Sequence, residues 1–448
     1  METDRLLVNK DYRFSAALYA RAVGCVSSMA EGYDIGCLGT IVADVRKDFD
    51  LSPRDVGMLA SLPHCFFGIA ALGGGLLADK VGRKAAILVT CLALFLGTCL
   101  QVIAPALWYL IIGRAVVNLG AGSGVVVVAT YLTEVTPARH RGLFVSLEEL
   151  CFNFGLLMAY LANWSLTGHP HDWRIVIGLG AIGPVIALLL CLLPQVLESP
   201  RYLFLCGRKQ EAERVLRALV REPQEIREVL DAWETETSQS PRVAIESAPR
   251  AVMASVGLAI CASLAGVQAV NPLLSYVLVV AGGAGGEVAS WSLAIMLVKF
   301  LVIVPVCFCL IDRWGRRPLL VVSSLCMAAG CAVAAAALAD HLPAVLAMAG
   351  IATHLVCYSL GVGPVMWTYC TEVLPTSARA PGMGLAMLAS RTFSVVQLFW
   401  LPSVMDACPW APYLFYGITN LGTVVFVAYA CPETKHASLE SLRGLFKE

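Results

Sequence analysis

Nine ionisable side chains, Glu31, Asp34, His64, Arg114, Glu148, Glu149, Lys299, His354 and Arg391, stand inside long apolar stretches of this chain. A charge in hydrocarbon is costly unless it is paired or hydrated, so each is a candidate for carrying protons, binding a solute or bridging helices. Glu31 and Asp34, in "EGYDIGCLGT" (31–40), lie three residues apart and share one helix face. No nucleophile–base arrangement, P-loop or metal cluster is evident, so the sequence does not predict an enzyme, a cofactor or a metal site. The 17 cysteines are scattered singly and read as small apolar residues. "LGAGSG" (119–124) sits in an apolar run with no preceding strand, so its glycines are expected to admit a neighbouring helix rather than a phosphate.

The surroundings that must position these groups are a membrane. Only 14% of the 448 residues are charged and 58% are hydrophobic, with a mean hydropathy of +0.74, whereas soluble domains carry about a quarter charged residues. Zero net charge and the absence of long basic runs exclude nucleic acid as the main partner. The first thirteen residues are polar and mixed in charge, so the first apolar segment is expected to serve as its own insertion signal rather than follow a cleaved leader. A bilayer core needs about 20 apolar residues per helix. Such runs occur at about 17–42, 57–78, 85–104, 107–133, 143–167 and 174–195, then at about 250–279, 287–311, 318–340, 343–372, 380–405 and 411–431. The sequence therefore predicts an all-α membrane protein of twelve transmembrane helices in two six-helix bundles, residues 1–195 and 250–448. A linker at 196–249 has the three- and four-residue apolar spacing of short surface helices.

Lys80, Arg83, Lys84, Arg139, Arg141, Arg313, Arg316, Arg317 and Arg379 fall in one set of short loops, against chiefly Arg46, Lys47, Arg54 and Arg174 in the other. The positive-inside rule then places the first set, the linker and both termini in the cytoplasm. The halves also repeat each other. "GLLADKVGRK" (75–84) recurs as "LIDRWGRRP" (310–318), and "YLTEVTPARHRG" (131–142) as "YCTEVLPTSARAPG" (369–382). Such duplication points to two bundles around a midplane cavity.

These motifs, with "LESPRYL" (197–203), "GVGPVMWTYCTEVLPTSAR" (361–379) and "PETKHASLESL" (432–442), resemble the sugar porter family of the major facilitator superfamily over about residues 14–442. The resemblance implies a secondary transporter that works by alternating access, moving a sugar, polyol or related small solute by proton-coupled symport, a monomer being sufficient. Asp34 in "GYDIG" and Arg114 in "IIGRAVVNLGAG" match the family's proton-coupling pair. Trp367 in "GPVMW" matches an aromatic that stacks on a sugar ring. Asp79, Arg83, Glu134, Arg141, Asp312, Arg316, Glu372 and Arg379 are expected to form a cytoplasmic gate of ion pairs interlocking the bundles.

The family's amides are largely missing. Ala262 and Ser263 replace a Gln pair, Gln268 stands at an Asn, and Leu156 replaces a Gln on the fifth helix. Gln268, Asn271, Ser263 and Ser390 are the candidate replacements, while Lys299 and Arg391 add positive charge suited to a sugar acid or another carboxylate. Alternatives to symport are a facilitative uniporter, an organic-anion carrier on the same frame, and a solute sensor that does not transport. No lipidation or retention motif stands out, so the plasma membrane is the default expectation over an organelle.

Overall fold

The computed structural model describes residues 10–135, 141–169, 172–219, 226–227, 229–231, 233, 249–283, 286–374 and 376–435; side chains are described for these except residues 10–21, 141–146, 307, 308, 312 and 376–381. The described residues form helices and connecting turns, with no strand among them. Numbered along the chain, α1 is Lys10–Asp48, α2 Pro53–Val81, α3 Arg83–Val102, α4 Leu107–Val135, α5 Arg141–Leu166 and α6 Asp172–Leu192. In the second half, α7 is the bent pair Pro249–Leu264 and Val267–Val280, α8 Gly286–Pro305, α9 Arg316–Ala339, α10 Ala344–Val373, α11 Thr376–Ala407 and α12 Ala411–Ala430. Nine of these are long and apolar enough to span a bilayer, ten with α7 counted as one span. The other two, α1 and α5, are the helices that bear Glu31, Asp34, Glu148 and Glu149.

Local chemistry sets the helix boundaries. Ser52 caps α2 through a reciprocal capping box with Asp55, and Pro53 occupies the first turn, where a missing N–H costs nothing. The bend of 49° in α7 falls at Gly266, whose φ of +91° only glycine adopts readily. Within α10 the helix breaks between Tyr358 and Val362, ahead of Gly363 and Pro364. In the linker, Pro200–Leu205 and Lys209–Leu219 are helical, the latter with Ala212, Val215 and Leu216 on its buried side. Much of the second predicted linker helix, "PQEIREVLDAWETE" at 223–236, lies outside the described residues.

Each half packs around its own small-residue crossings. At the crossing of α1 and α5, a Cβ added to Gly32 would sit 1.9 Å from the Phe152 carbonyl oxygen, and one on Gly155 the same distance from that of Met29. Only two glycines facing two backbones allow this approach. The halves meet along α2 and α11, along α5 and α8, and where α1 meets the later part of α7. At the face opposite the Arg-rich turns they are locked together. Arg46 on α1 pairs with Asp406 on α11 at 2.8 Å, lies 5.0 Å from the Tyr276 ring centroid, and shares Asp406 with the Tyr276 hydroxyl. The Tyr160 hydroxyl of α5 donates to the Asn271 carbonyl of α7 at 3.2 Å. These contacts join the two halves at this face.

Replacing Gly32 by Val should force α1 from α5 and destabilise the protein by about 1–3 kcal/mol or more. Thermal unfolding in detergent should show a midpoint several degrees lower; an unchanged midpoint would mean the crossing tolerates bulk.

Candidate functional site

The duplicated motifs build two matching clusters at the basic face. In the first half, Arg83 begins α3 after Gly82, whose φ of +94° turns the chain back from α2. Arg83 grips Glu134 at the end of α4 with two parallel bonds, Nε to Oε2 at 2.9 Å and Nη2 to Oε1 at 3.1 Å, and reaches Asp79 at 3.0 Å. Ser199 Oγ also donates to Glu134. Glu198 Oε1 accepts from the backbone N–H groups of Arg83 at 2.9 Å and Lys84 at 3.1 Å, satisfying donors that a helix start leaves open.

The second half repeats this arrangement with its own residues. Arg316 follows Gly315, with φ +92°, and grips Glu372 at 3.1 and 2.7 Å. Thr434 Oγ1 donates to Glu372 at 2.6 Å, and Glu433 accepts from the N–H groups of Arg316 and Arg317, both at 2.9 Å. The sequence predicts ion pairs interlocking the two bundles, but the described pairs run within each half. The physical reason is proximity: α3 lies against α4, so Glu134 and the neighbouring Asp79 engage Arg83 before any group of the other half. The Arg46–Asp406 pair that does join the halves is on the other face. The side chains of Arg141, Asp312 and Arg379 lie outside the described residues. Glu198, Ser199, Glu433 and Thr434 were not assigned roles from sequence; their signal was the recurrence of Glu-Ser and Glu-Thr just after each six-helix set.

In the membrane interior, Asp34 on α1 lies 3.3 Å from Arg114 Nη2 on α4, with side chains 16% and 2% exposed. Gln101 Oε1 on α3 is 3.5 Å from Arg114 Nη1, and Arg114 Nε has no partner among the described residues. Tyr33, Cys37, Thr98, Gln101 and Gly180 surround a small void beside Asp34. Gln101 was missed from sequence, its signal being a lone amide in an apolar run. Asp34 is thus held by one close ionic partner beside a narrow, mostly apolar void that Ala30, Leu94, Val117, Ile177 and Pro184 also line. One proton on its carboxylate would remove the only anion paired with Arg114 among the described residues, an expensive change for a buried cation.

The expected solute-binding residues divide into two groups. Ser263 and Ser390 are wholly buried. Ser263 Oγ donates to the Ser390 carbonyl at 2.8 Å, and Ser390 and Ser394 both donate to Gln268 Oε1. These groups tie α7 to α11 rather than standing free for a solute. The other group keeps unused capacity. Asn271 Oδ1 and Arg391 Nε are buried without partners among the described residues, and Lys299 is 5% exposed. Arg391 stacks 4.3 Å from the Phe67 ring centroid across the α2–α11 seam. Trp367 is partly buried against the core of the second half. His64 and His354 spend ring nitrogens on backbone carbonyls of Ala60 and Ala265, at 2.9 and 2.8 Å.

Two six-helix halves with charges paired inside the bilayer and mirrored clusters at one face define a two-bundle membrane carrier. Residues 21–446 match the family described as "Sugar (and other) transporter", and the chain belongs to that family. Relatives include "Polyol transporter 5" of Arabidopsis thaliana, 28% identical over 97% of this chain and 86% of that protein. The "D-xylose transporter" of Levilactobacillus brevis is 25% identical over 95% of this chain and 94% of that one. Among solved structures, the inward-open conformation of the xylose transporter XylE from E. coli aligns with a TM-score of 0.80 at 20% identity, covering 96% of this chain and 99% of that one. This last likeness establishes the fold.

Glu433 lies beyond the last span, and backbone donors set its titration. Burial alone raises its carboxyl, but the N–H groups of Arg316, Lys435, Arg317 and Thr434 outweigh burial and hold it below the usual range. Its folded-state value being lowered, the stability it contributes is complete above the unfolded value of about 4.3 and is lost as pH falls through its folded one. The melting-temperature gap between wild type and Glu433→Gln should therefore be present at neutral pH and close under acid. A gap independent of pH would contradict this.

Proposed function

We propose that this protein is a proton-coupled secondary transporter of polyols or sugars. The observation that carries the reading is the buried Asp34–Arg114 pair, an acid–base couple inside the bilayer. Its relatives named as polyol and D-xylose transporters support the solute class. The halves 1–195 and 250–448, joined by the linker 196–249, rock about the midplane. By the positive-inside rule the basic face and both termini are cytoplasmic. One copy holds both halves and suffices for transport; the plasma membrane is the default location.

The mechanism follows from Coulomb's law in a dry site. With Asp34 charged, Arg114 is compensated and α1 is held to α4. When Asp34 takes a proton from the outer side, the pairing is lost and Arg114 is left to Gln101. A buried cation without its anion is destabilised by several kcal/mol, enough to shift a two-state equilibrium between arrangements of the bundles. Solute and proton then cross together, and release of the proton on the other side restores the pair. In the closed-seam arrangement, Arg46, Asp406 and Tyr276 seal the outer face. The paired clusters Arg83–Glu134 and Arg316–Glu372 keep each half rigid at the cytoplasmic face as the halves move.

In proteoliposomes, Asp34→Asn should abolish uptake driven by a pH gradient while leaving counterflow of the same labelled polyol or sugar measurable. Uptake in the variant that still follows the pH gradient would remove Asp34 from coupling. Wild-type uptake indifferent to the gradient would make the protein a uniporter.

A further inference from the structure

Lys299, midway along α8, is 5% exposed and has no hydrogen-bond partner among the described residues. It faces Glu149 on α5, across the seam between the halves, and the two charges interact. Yet no nitrogen–oxygen contact within 4.0 Å closes them into an ion pair. The rings of Phe154, five residues beyond Glu149, and Phe300, next to Lys299, meet at 5.9 Å and fix the approach of α5 to α8. Glu149 Oε1 accepts from Asn153 Nδ2 at 2.9 Å, which orients the carboxylate; no partner of Oε2 is seen among the described residues. Tyr358 on α10 lies within electrostatic reach of both Glu149 and Arg391, which places the pair near the second half's polar groups.

A buried ammonium and a carboxylate on packed helices, with no direct ion pair between them, leave a place for a bridging group. An anion on Lys299 would face the Glu149 charge at short range in a low dielectric. A hydroxyl meets both demands, accepting from Nζ through its lone pairs and donating its proton to the carboxylate. A chain or ring of adjacent hydroxyls meets them repeatedly. Such contacts to charged groups also make good the loss of the amides at Ala262 and Leu156, because hydrogen bonds to ions are the stronger ones.

We propose that Glu149 and Lys299 form a clamp from opposite halves that reads adjacent hydroxyls of a neutral polyol and disfavours sugar acids. This rests on the transport reading above and names the part of the solute that the site selects. Because one jaw belongs to each half, bound polyol also holds the halves together at the midplane.

The test is counterflow in proteoliposomes with labelled sorbitol and xylitol, unlabelled gluconate as the anionic competitor, and wild type beside Lys299→Met, Glu149→Gln and the exchanged Glu149→Lys/Lys299→Glu protein. Wild type should exchange at least one polyol and resist competition by gluconate. Each single variant should raise KM about tenfold or more, the loss of one hydrogen bond to a charged group, with a much smaller change in maximal rate. The exchanged protein should recover part of that loss. Folded variants that keep the wild-type KM, or that lose only maximal rate, would overturn the clamp while leaving polyol transport standing. Gluconate outcompeting the polyols on wild type would overturn it without any variant. A wild type that exchanges none of these solutes would sink the transport reading and the clamp together.

Discussion

A charge inside a bilayer must find its opposite, and the organisation of this protein follows from where each one does. Arg114 finds Asp34 within the first half, Arg83 finds Glu134, and Arg316 finds Glu372. Removing one partner of a buried pair typically costs about 3–5 kcal/mol, a large share of any protein's stability. The pairs at the basic face are bidentate, further fixed by Ser199 or Thr434, and built to stay closed. The Asp34–Arg114 contact is a single bond at 3.3 Å beside a small void. On the proposed transport reading, it is the pair that a single proton would open.

The duplication gives this electrostatics its mechanical form. Gly82 and Gly315, with matching positive φ, turn the chain so that Arg83 and Arg316 enter the next helix facing an acid. Glu198 and Glu433 then cap those helix starts from segments that follow the sixth and twelfth spans. Each half is thereby tied end to end as a unit, through its second-to-third-helix turn, its fourth helix or α10, and the segment beyond its last span. Contacts between halves are of another kind: helix seams, the Arg46–Asp406–Tyr276 lock at one face, and the charges of Glu149 and Lys299 on the packed helices α5 and α8. Rigid halves joined by separable contacts suit rocking about a central site.

Much of the fold was legible because bilayer thickness imposes a length on every span. The Asp34–Arg114 contact was legible through the resemblance and through residue type, since an isolated carboxylate in hydrocarbon demands a cation. What was not legible depended on distance in the chain. Arg46 read as a minor loop charge, and nothing in its neighbourhood announced Asp406, 360 residues away. The predicted interlocking of bundles by the motif residues failed to foresee that Glu134 reaches Arg83 within one half. Ser263 and Ser390 looked like free hydroxyls, yet face each other across α7 and α11; helical periodicity gives the side on which a residue lies but not its neighbour. The bend at Gly266 likewise needed a backbone angle that glycine permits but does not announce.

The central claim is that a proton on the buried acid and a solute in the cleft move as one event. It is tested most directly by adding sorbitol or xylitol to proteoliposomes that carry a pH-sensitive dye inside and hold no initial pH gradient. The account predicts that the interior acidifies as polyol enters, in proportion to the amount taken up. Entry of labelled polyol with no change in internal pH would contradict it.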